Sequence, residues 1–484
     1  MSSEQAGIFE HLYHNLPEDW QLLSLPVAVD FQEGPGILAK DFHPEGIPLL
    51  RLASIAGPVT NFAGCNYLDP AKVSQKWAHF KLLAKDILLS TSGSLGRVSE
   101  VSAEQEGSIC YTGIIRFRPK SDLVRRHYIK YFLQSNSFRQ QAVASASGSV
   151  LSHFGPTHLK QMSFPLPPVQ YQDFIDSLLR PVDDKIQLNH QINQTLEQMA
   201  QAIFKSWFVD FEPVKAKISA LEAGGTEEDA LLAAMQVISG KDADQLAQMQ
   251  AEQPEQYAEL RTTAELFPSA MQDSELGEIP EGWEAGKLKD IAHYPNDRIS
   301  TDVLSLDTYV STECMIENKK GVSAAASLPT AVTVPSFRTN QVLVSNIRPY
   351  FKKLWLAQYA GGRSPDVLCF ESTNPQGHGF LFNVLYQDHF FDYMMRTSKG
   401  AKMPRGDKKA VMEFDLTIPS SDLVARYSQR ISEFYEFAAV KKSENEMLTR
   451  LRDALLPKLL SGELTLPDTE VAQTEPQDVA NAAV

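Results

Sequence analysis

Residues 171–189, YQDFIDSLLRPVDDKIQLN, return in altered form at residues 427–445, YSQRISEFYEFAAVKKSEN. Matching residues stand 256 positions apart: Tyr171 and Tyr427, Ile175 and Ile431, Lys185 and Lys441, Asn189 and Asn445. A constant offset over a segment with helical periodicity indicates that one long helix occurs twice in this 484-residue chain.

Weaker matches precede both helices and extend the repeat into the regions before them. Leu16–Trp20 resembles Ile279–Trp283, and Asp86–Ser90 resembles Gln341–Ser345. Three further residues match in order: Phe164, Leu166 and Pro168 with Phe414, Leu416 and Pro419. The sequence therefore predicts two copies of one unit, each a globular domain followed by a long helix, with insertions in the loops.

Both helices carry apolar residues at alternating steps of three and four, the pattern of a coiled-coil seam. The first seam consists of Ile175, Leu178, Val182, Lys185, Asn189, Ile192, Leu196, Met199, Ile203 and Ser206. The second consists of Ile431, Phe434, Ala438, Lys441, Asn445 and Leu448, and then Leu451, Leu455 and Leu459. We expect the helices to pair antiparallel as a stiff rod about 48 Å long that relates the halves by a pseudo-twofold axis. The alternative is that each helix packs on its own domain.

The predicted fold class is mixed α/β (α+β), with two similar globular domains separated by two long antiparallel helices. The predicted boundaries are a first domain at 1–168, a helix at 169–212, an acidic helical connector at 213–278, a second domain at 279–419, a second helix at 420–462 and a disordered acidic tail at 463–484.

The net charge of −15 is unevenly distributed along the chain. Residues 213–280 hold 13 acidic and 4 basic residues, and residues 461–484 hold 5 acidic and no basic ones. By contrast, residues 36–168 hold 15 basic and 8 acidic residues, and residues 334–412 hold 11 and 5. Both globular domains thus carry a local positive charge that would attract a phosphate backbone. The alternative is that these charges form two ordinary solvated faces.

Composition and motifs exclude several classes of protein. The chain has no run of about 18 apolar residues, and its first 35 residues contain no Lys or Arg, so we expect neither a membrane span nor a signal peptide. The four Cys form no CxxC pair and predict isolated thiols in a reducing compartment. Motifs for ATP, dinucleotides, zinc or a nucleophilic serine are absent, and Thr373 stands where a Pro365-Asp366…Glu371 nuclease site would need lysine. We therefore expect no catalytic residue and no metal site.

Five segments resemble the type I restriction–modification specificity subunits. Lys185–Asn189 with Ala202–Val214 is similar to the central conserved region of that family, and Leu451–Leu464 is similar to its C-terminal conserved region. Asp86–Val98 and Val342–Trp355 resemble its target-recognition domains, and Glu275–Trp283 resembles the entry into the second of them. On this resemblance the two globular domains are target-recognition domains 1 and 2.

The resemblance implies a non-catalytic, cytoplasmic subunit that binds a bipartite double-stranded DNA site. The implied partners are two methyltransferase subunits, which bind S-adenosylmethionine and methylate adenine, and two restriction/translocase subunits, which use ATP and Mg²⁺. The chain itself would bind none of these cofactors. One alternative is a two-domain coiled-coil scaffold that binds proteins but not DNA; another is a fused nuclease or methyltransferase.

Phosphate anchors and base-edge donors are expected among polar and basic residues of the two domains. In domain 1 the candidates are Ser90, Thr91, Ser92, Ser94 and Arg97 in a glycine-containing loop, Arg116, Arg118 and Lys120 on one face of a strand, and the Gly/Ser-rich segment 145–153. In domain 2 they are Arg348, Lys352, Lys353, Arg396, Lys399, Lys402, Arg405, Lys408 and Lys409. The alternatives are a plain hairpin turn for the first loop and solvated charges for the strand.

Partner docking is predicted at the ends of the two helices. Trp207, Phe208 and Phe211 end the first, and the alternative interpretation is that these aromatic residues form a core. Leu455 and Leu459 flank Pro457, which we expect to kink or end the second helix so that its last segment meets the start of the first domain or a partner.

Insertion of one heptad into both helices tests whether the helix pair sets the spacing of the target. We expect the unspecified gap between the two halves of the DNA site to widen, because seven residues lengthen a helix by about 10 Å. The gap is measured by mapping methylated adenines in host DNA. An unchanged gap would remove the helices as the determinant of spacing.

Overall fold

The protein is described by a computed structural model that covers residues 9–13, 15–91, 96–145, 154–400 and 403–464. The chain forms two compact units: unit 1 is Met1–His190 with Ser443–Val484, and unit 2 is Gln191–Lys442. Both unit boundaries fall inside a long helix. Each unit therefore contains one globular domain and parts of both long helices. Of the predicted acidic tail, residues 465–484 lie outside the described residues.

Unit 1 begins with a small mixed domain. Its strands are β1 Gln21–Ser24, β2 Val29–Glu33, β3 Phe42–His43, β4 Ile47–Leu50, β5 Asn66–Leu68, β6 Ile87–Ser90, β7 Val98–Glu100, β8 Ile109–Cys110, β9 Ile114–Pro119 and β10 Ser163–Leu166. Its helices are α1 Leu25–Ala28, α2 Pro70–Lys72, α3 Arg126–Gln134, α4 Asn136–Ser145 and α5 Pro156–Leu159, followed by the long helix α6 Val169–Phe208. Short 3-10 or π turns lie at Glu10–Tyr13, Ala39–Asp41, Leu52–Ile55, Val73–Trp77, Ala78–Phe80 and Ala103–Gln105.

Two four-stranded sheets form the framework of this domain. The first has the order β2-β9-β6-β7 and is antiparallel throughout. Its central strand β6 is buried along its whole length, in agreement with its mostly apolar sequence ILLS. The second sheet has the order β3-β5-β4-β8, in which β4 and β8 are parallel. Strand β10 pairs with β1 and leads directly into α6.

Unit 2 contains a connector and a second mixed domain. The connector helices are α7 Glu212–Glu222, α8 Glu227–Ser239, α9 Ala243–Glu252 and α10 Pro254–Glu265. The strands are β11 Met271–Ser274, β12 Gly277–Pro280, β13 Glu284–Lys287, β14 Ala292–His293, β15 Arg298–Ser300, β16 Tyr309–Val310, β17 Thr333–Phe337, β18 Val342–Ser345, β19 Leu354–Leu356, β20 Gly361–Arg363, β21 Val367–Ser372 and β22 Asp415–Ile418. The other helices are α11 Leu288–Ile291, α12 His378–Tyr386, α13 Asp388–Arg396, α14 Lys408–Val411 and the long α15 Ser421–Leu460, with 3-10 turns at Thr301–Val303 and Pro349–Phe351.

The second domain repeats the framework of the first. Its antiparallel sheet has the order β14-β21-β18-β19, and its central strand β18 is as fully buried as β6. A second sheet again contains a parallel pair, β16 with β20, and β13 with β22 repeats the pair β1 with β10. One connection differs, because β17 joins β20 whereas β5 joins β4. The predicted mixed fold with an internal repeat is confirmed.

The acidic connector is a packed part of unit 2. Thr226 caps the start of helix α8, where its hydroxyl accepts a hydrogen bond from the Asp229 backbone amide at 3.2 Å, and Gly240, with a φ of +68°, caps its end. Leu231, Met235 and Ile238 occupy one face and are buried in the same apolar core as the second domain. The acidic side chains of the segment lie on the solvated faces, which explains why its composition resembles that of a linker.

The two long helices are antiparallel within unit 1. The Tyr171 hydroxyl donates to the Leu459 carbonyl at 3.1 Å, and farther along α6 the Asn189 amide donates to the Asn445 side chain at 2.9 Å. Asn445 in turn donates to the Ile186 carbonyl at 3.3 Å. Both asparagines are buried, so a shift of one helix along the other would leave their amides unpaired. The antiparallel pairing predicted from the two apolar seams is confirmed.

The predicted seam of α6 is only partly correct. Leu178 and Met199 are exposed, whereas Leu179 and Ala200, each one position later, are fully buried. Ile175 and Leu179 lie in the apolar core of the first domain together with Phe132, so this end of α6 packs on its own domain as well as on α15. A strict heptad seam does not satisfy both contacts. Similarly, α15 continues past Pro457 to Leu460, although we expected the proline to kink or end it.

A buried carboxylate on α6 joins the first domain to both long helices. Asp183 accepts a hydrogen bond from Lys130 of α3 at 2.7 Å and lies 3.5 Å from Arg452 of α15. The side chains of Lys130 and Asp183 are 11% and 9% exposed, so the Asp183 charge depends on these partners rather than on water.

Substitution of Lys130 by Met tests this junction. We expect a loss of about 3 kcal/mol in the free energy of unfolding, because Asp183 keeps only the longer contact with Arg452. The matched control is Lys185→Ala, which removes a half-exposed 3.5 Å pair with Glu444 and should change the stability by less than about 1 kcal/mol. Urea unfolding followed by circular dichroism measures both. Equal midpoint shifts would contradict the assignment.

Candidate nucleic-acid interface

Most of the basic residues predicted for domain 2 lie on loops that the structure joins into one surface. The Asn346 amide donates to the Asp366 carbonyl at 2.9 Å, and the Arg348 amide donates to the Pro404 carbonyl at 2.9 Å. Lys399 and Arg405 exchange two backbone hydrogen bonds of 2.9 and 3.0 Å. Residues 346–348, 364–366, 399–400 and 403–409 therefore form one platform, which we call the basic loop surface.

Two ion pairs on the basic loop surface hold its loops together. Lys399 binds Asp407 at 2.7 Å, and Arg405 binds Asp366 at 3.1 Å. The hydrogen bond from Lys399, together with backbone amides of α14, lowers the pKa of Asp407. The same bond raises the pKa of Lys399. Because Lys399 and Arg405 are exposed, each ion pair adds little to the free energy of unfolding. Either side chain can leave its carboxylate partner and bind an anionic ligand instead.

Other cations of the basic loop surface have no carboxylate partner in the described part of the chain. Lys408 and Lys409 are exposed at the start of α14, where Asp407 accepts the Lys409 amide at 3.0 Å and thereby fixes the turn. Arg348 has a φ of +50°, a left-handed backbone conformation held by the contact with Pro404. These three side chains present uncompensated positive charge, as a phosphate-binding surface requires.

The remaining candidates of domain 2 lie in other surroundings. Lys352 pairs with Asp388 at 3.0 Å, and Lys353 donates to the Thr312 carbonyl at 2.9 Å, so both side chains hold neighbouring segments of the domain. Arg396 is exposed, 5.9 Å from the centre of the Tyr393 ring. Lys402 lies outside the described residues.

In domain 1, the structure describes only the base of the candidate loop at residues 90–97. Ser90 and Thr91 are buried; the Ser90 hydroxyl accepts the Arg97 amide at 3.0 Å, and the Thr91 amide donates to Gly113 at 2.8 Å. Arg97 is exposed beside Gly96, which has a φ of +98°. Ser92, Ser94 and residues 146–153 of the Gly/Ser-rich segment lie outside the described residues. The buried pair supports the loop rather than presenting hydroxyl groups at its tip.

The strand β9 carries its arginines as predicted, but acidic residues engage them. Arg116 is buried and binds Asp30 at 2.8 Å. Arg118 donates twice to the fully buried Asp86, at 2.6 and 2.5 Å. Lys120, just after the strand, donates to the Pro26 carbonyl at 2.5 Å. These pairs compensate the charge of the strand within the domain.

The docking candidates contribute to the cores of the two units. In unit 2, Trp207 and Phe208 are buried and contact Tyr427 edge-on, with ring centres 5.7 and 5.0 Å away. Phe211 is half-buried and packs edge-on against Trp283. This placement favours the core interpretation of these aromatic residues.

In unit 1, Leu459 is buried and Leu455 is half-buried against the core that contains Trp20. The end of α15 thus meets the start of the first domain, as predicted.

Sequence reasoning missed Arg51 and Lys130. Arg51 stacks on Tyr111, and Lys130 pairs with Asp183. Each partner lies more than fifty residues away along the chain, and no local pattern marks either contact.

The described residues offer no metal site. Among them, no group of His, Cys, Asp and Glu is arranged to hold a metal ion. None of the helices there is long and apolar enough to cross a membrane. Cys110 and Cys369 are buried thiols, and burial raises the pKa of each to about 12.

Comparison with known proteins supports the resemblance seen in the motifs. Residues 63–198 match the family described as the type I restriction modification DNA specificity domain. The HindI specificity subunit of Haemophilus influenzae is 29% identical over 392 residues, which cover 76% of this chain and 84% of that protein. The MjaIX specificity subunit of Methanocaldococcus jannaschii is 20% identical over 94% of this chain and 95% of its own length. The solved S subunit from M. genitalium aligns with a TM-score of 0.45 at 15% identity, over 94% of this chain and 98% of its own. The resemblance to type I specificity subunits is confirmed.

The double variant Lys408→Ala/Lys409→Ala tests whether the basic loop surface contacts phosphates. We expect the slope of log binding constant against log salt concentration to become shallower by about 2, because each lost phosphate contact removes about 0.9. Fluorescence anisotropy of a labelled duplex over a sodium chloride series measures the slope. The control is Lys287→Ala/Lys289→Ala, which removes two lysines that Glu413 and Asp415 already neutralise. Identical slopes for the two double variants would contradict DNA contact at this surface.

Proposed function

We propose that this chain, which contains a type I restriction modification DNA specificity domain at residues 63–198, is the DNA-specificity subunit of a type I restriction–modification complex. In this proposal each globular domain recognises one half of a bipartite target. The two long helices carry the other subunits, two adenine methyltransferases and two restriction/translocase subunits.

The observation that carries this proposal is the construction of one framework twice with different loops. Both domains contain an antiparallel sheet with equivalent strand order and a buried central strand, β6 in one and β18 in the other. The connecting loops differ in length and charge, and in domain 2 they bear Arg348, Lys408 and Lys409, which have no carboxylate partner among the described residues. A constant scaffold with variable polar loops suits a protein that must distinguish two unlike half-sites.

We assign the chemistry of the complex to the partner subunits. Methyl transfer needs S-adenosylmethionine, and translocation needs ATP and Mg²⁺; in this proposal the chain binds none of these and supplies only recognition and assembly in the cytoplasm. Exposed apolar residues on the long helices fit a docking role, since Leu188 is 49% and Met447 is 61% exposed. A scaffold that binds proteins but not DNA would share these exposed apolar residues. Such a scaffold would not need the cations of the basic loop surface that have no carboxylate partner among the described residues.

Exchange of residues 36–168 for the corresponding domain of another specificity subunit tests the proposal. We expect only one half of the methylated motif to change, because the other domain keeps its own loops. Sequencing of host DNA for methylated adenines identifies the motif, with the reciprocal exchange of residues 334–412 as the control. A change in both halves after either exchange, or the absence of a split motif in the wild type, would refute the two-domain assignment.

A further inference from the structure

We propose that a pocket around Arg51 in unit 1 recognises a guanine edge in one half-site. The inference rests on the proposed function and adds a specificity-determining residue to it. Arg51 directly follows β4, and the pocket, with a volume of about 380 Å³, is also lined by Ala53, Gly64, Asn66, Tyr111 and Thr112.

Two contacts fix the orientation of the Arg51 side chain. Its guanidinium carbon lies 4.0 Å from the centre of the Tyr111 ring, within the range of a cation–π contact. Its Nη1 donates to the Asn66 side-chain oxygen at 3.0 Å. A second ring, that of Phe42, lies farther away, with its centre 5.9 Å from the guanidinium carbon. The Nε and Nη2 groups of Arg51 make no hydrogen bond to the described residues.

The chemistry of the pocket favours a base edge over a phosphate. No carboxylate in the described part of the chain forms an ion pair with Arg51, so its charge and two of its donor groups are available. The planar fork of arginine matches the O6 and N7 acceptors of guanine. Thr112 and Gly113 both donate to the Glu33 carboxylate at 3.1 Å, which places a negative charge beside the pocket. That charge would repel a phosphate, whereas a base edge is neutral.

The pocket is joined to the loop that the sequence predicts to contact DNA. Tyr111 and Thr112 belong to the turn that ends at Gly113, and the Gly113 carbonyl accepts the Thr91 amide at 2.8 Å. The turn that lines the pocket and the base of loop 90–97 are therefore hydrogen-bonded to each other.

The parallel strand pair of unit 2 carries different side chains at the positions that follow its strands. In unit 1 the Tyr111 amide donates to the Leu50 carbonyl at 3.0 Å, and in unit 2 the Ser364 amide donates to the Val310 carbonyl at 2.9 Å. Both bonds connect the ends of the parallel strand pair in the second sheet. By chain order, Arg51 and Tyr111 correspond to Ser311 and Ser364, although β4 is an inner strand of its sheet and β16 is an edge strand. The stacked arginine of unit 1 therefore has no chain-order counterpart at these two positions of unit 2, as expected where two domains select different bases.

The test is Arg51→Lys in the complete methylating complex, followed by mapping of the methylated motif. Lysine keeps the positive charge but lacks the planar set of N–H donors and the stacking contact with Tyr111. We expect one guanine position in the half-site assigned to residues 36–168 to accept other bases, with discrimination reduced about tenfold or more. An unaltered second half-site shows that the variant folds and assembles. The matched control is Arg180→Lys, an exposed arginine on α6 that is paired with Asp176.

Asn66→Ala is the second variant, because it removes only the amide that holds the guanidinium, and it should relax the same position. An unchanged motif in both variants, or a first half-site without a G·C pair, would overturn the inference. So would a uniform loss of methylation with an unaltered motif, which identifies a phosphate contact. A wild-type complex that yields no split motif would instead refute the proposed function.

Discussion

The carboxylate of Asp183 is the contact on which the architecture of unit 1 depends. It is buried at the place where α3 of the first domain, α6 and α15 meet, and it is bound by Lys130 of α3 and Arg452 of α15. A buried charge without partners is strongly unfavourable, so the three helices must stay in register for the charge to be compensated. The buried Asn189–Asn445 pair imposes the same requirement farther along α6. Together these groups make the position of the domain on the helix pair specific, which apolar packing alone would not.

A fixed domain allows its loops to vary without loss of the fold. The buried strands β6 and β18 and the parallel pairs β4–β8 and β16–β20 give both domains the same backbone framework. On this framework, unit 1 has Arg51 stacked on Tyr111, while unit 2 has serines there and a separate group of cations at its basic loop surface. The division between a conserved scaffold and variable polar loops connects the fold to the proposed selection of two half-sites.

The sequence was most informative where its pattern is periodic and repeated. The repeated apolar seams correctly predict two long antiparallel helices, because an isolated helix would leave its apolar stripe exposed to water. The exact seam is wrong at Leu178 and Met199, since α6 also packs on globular parts of its units and sequence periodicity does not reveal that second contact. The acidic segment 213–278 resembles a linker in composition, yet Leu231 and Met235 join the core of unit 2.

Site chemistry was less predictable than the fold. Basic residues in the sequence indicate positive charge but not whether an acidic partner compensates it. Arg116 and Arg118 bind carboxylates in the structure, whereas Lys408 and Lys409 bind none within the part of the chain that the structure describes. The central claim, that each domain contacts one half of a split target, is tested most directly by methylation interference on the assembled complex bound to its target duplex. The account predicts two clusters of purines at which modification blocks binding, separated by an insensitive gap. A single continuous cluster, or no interference at any base, would contradict it.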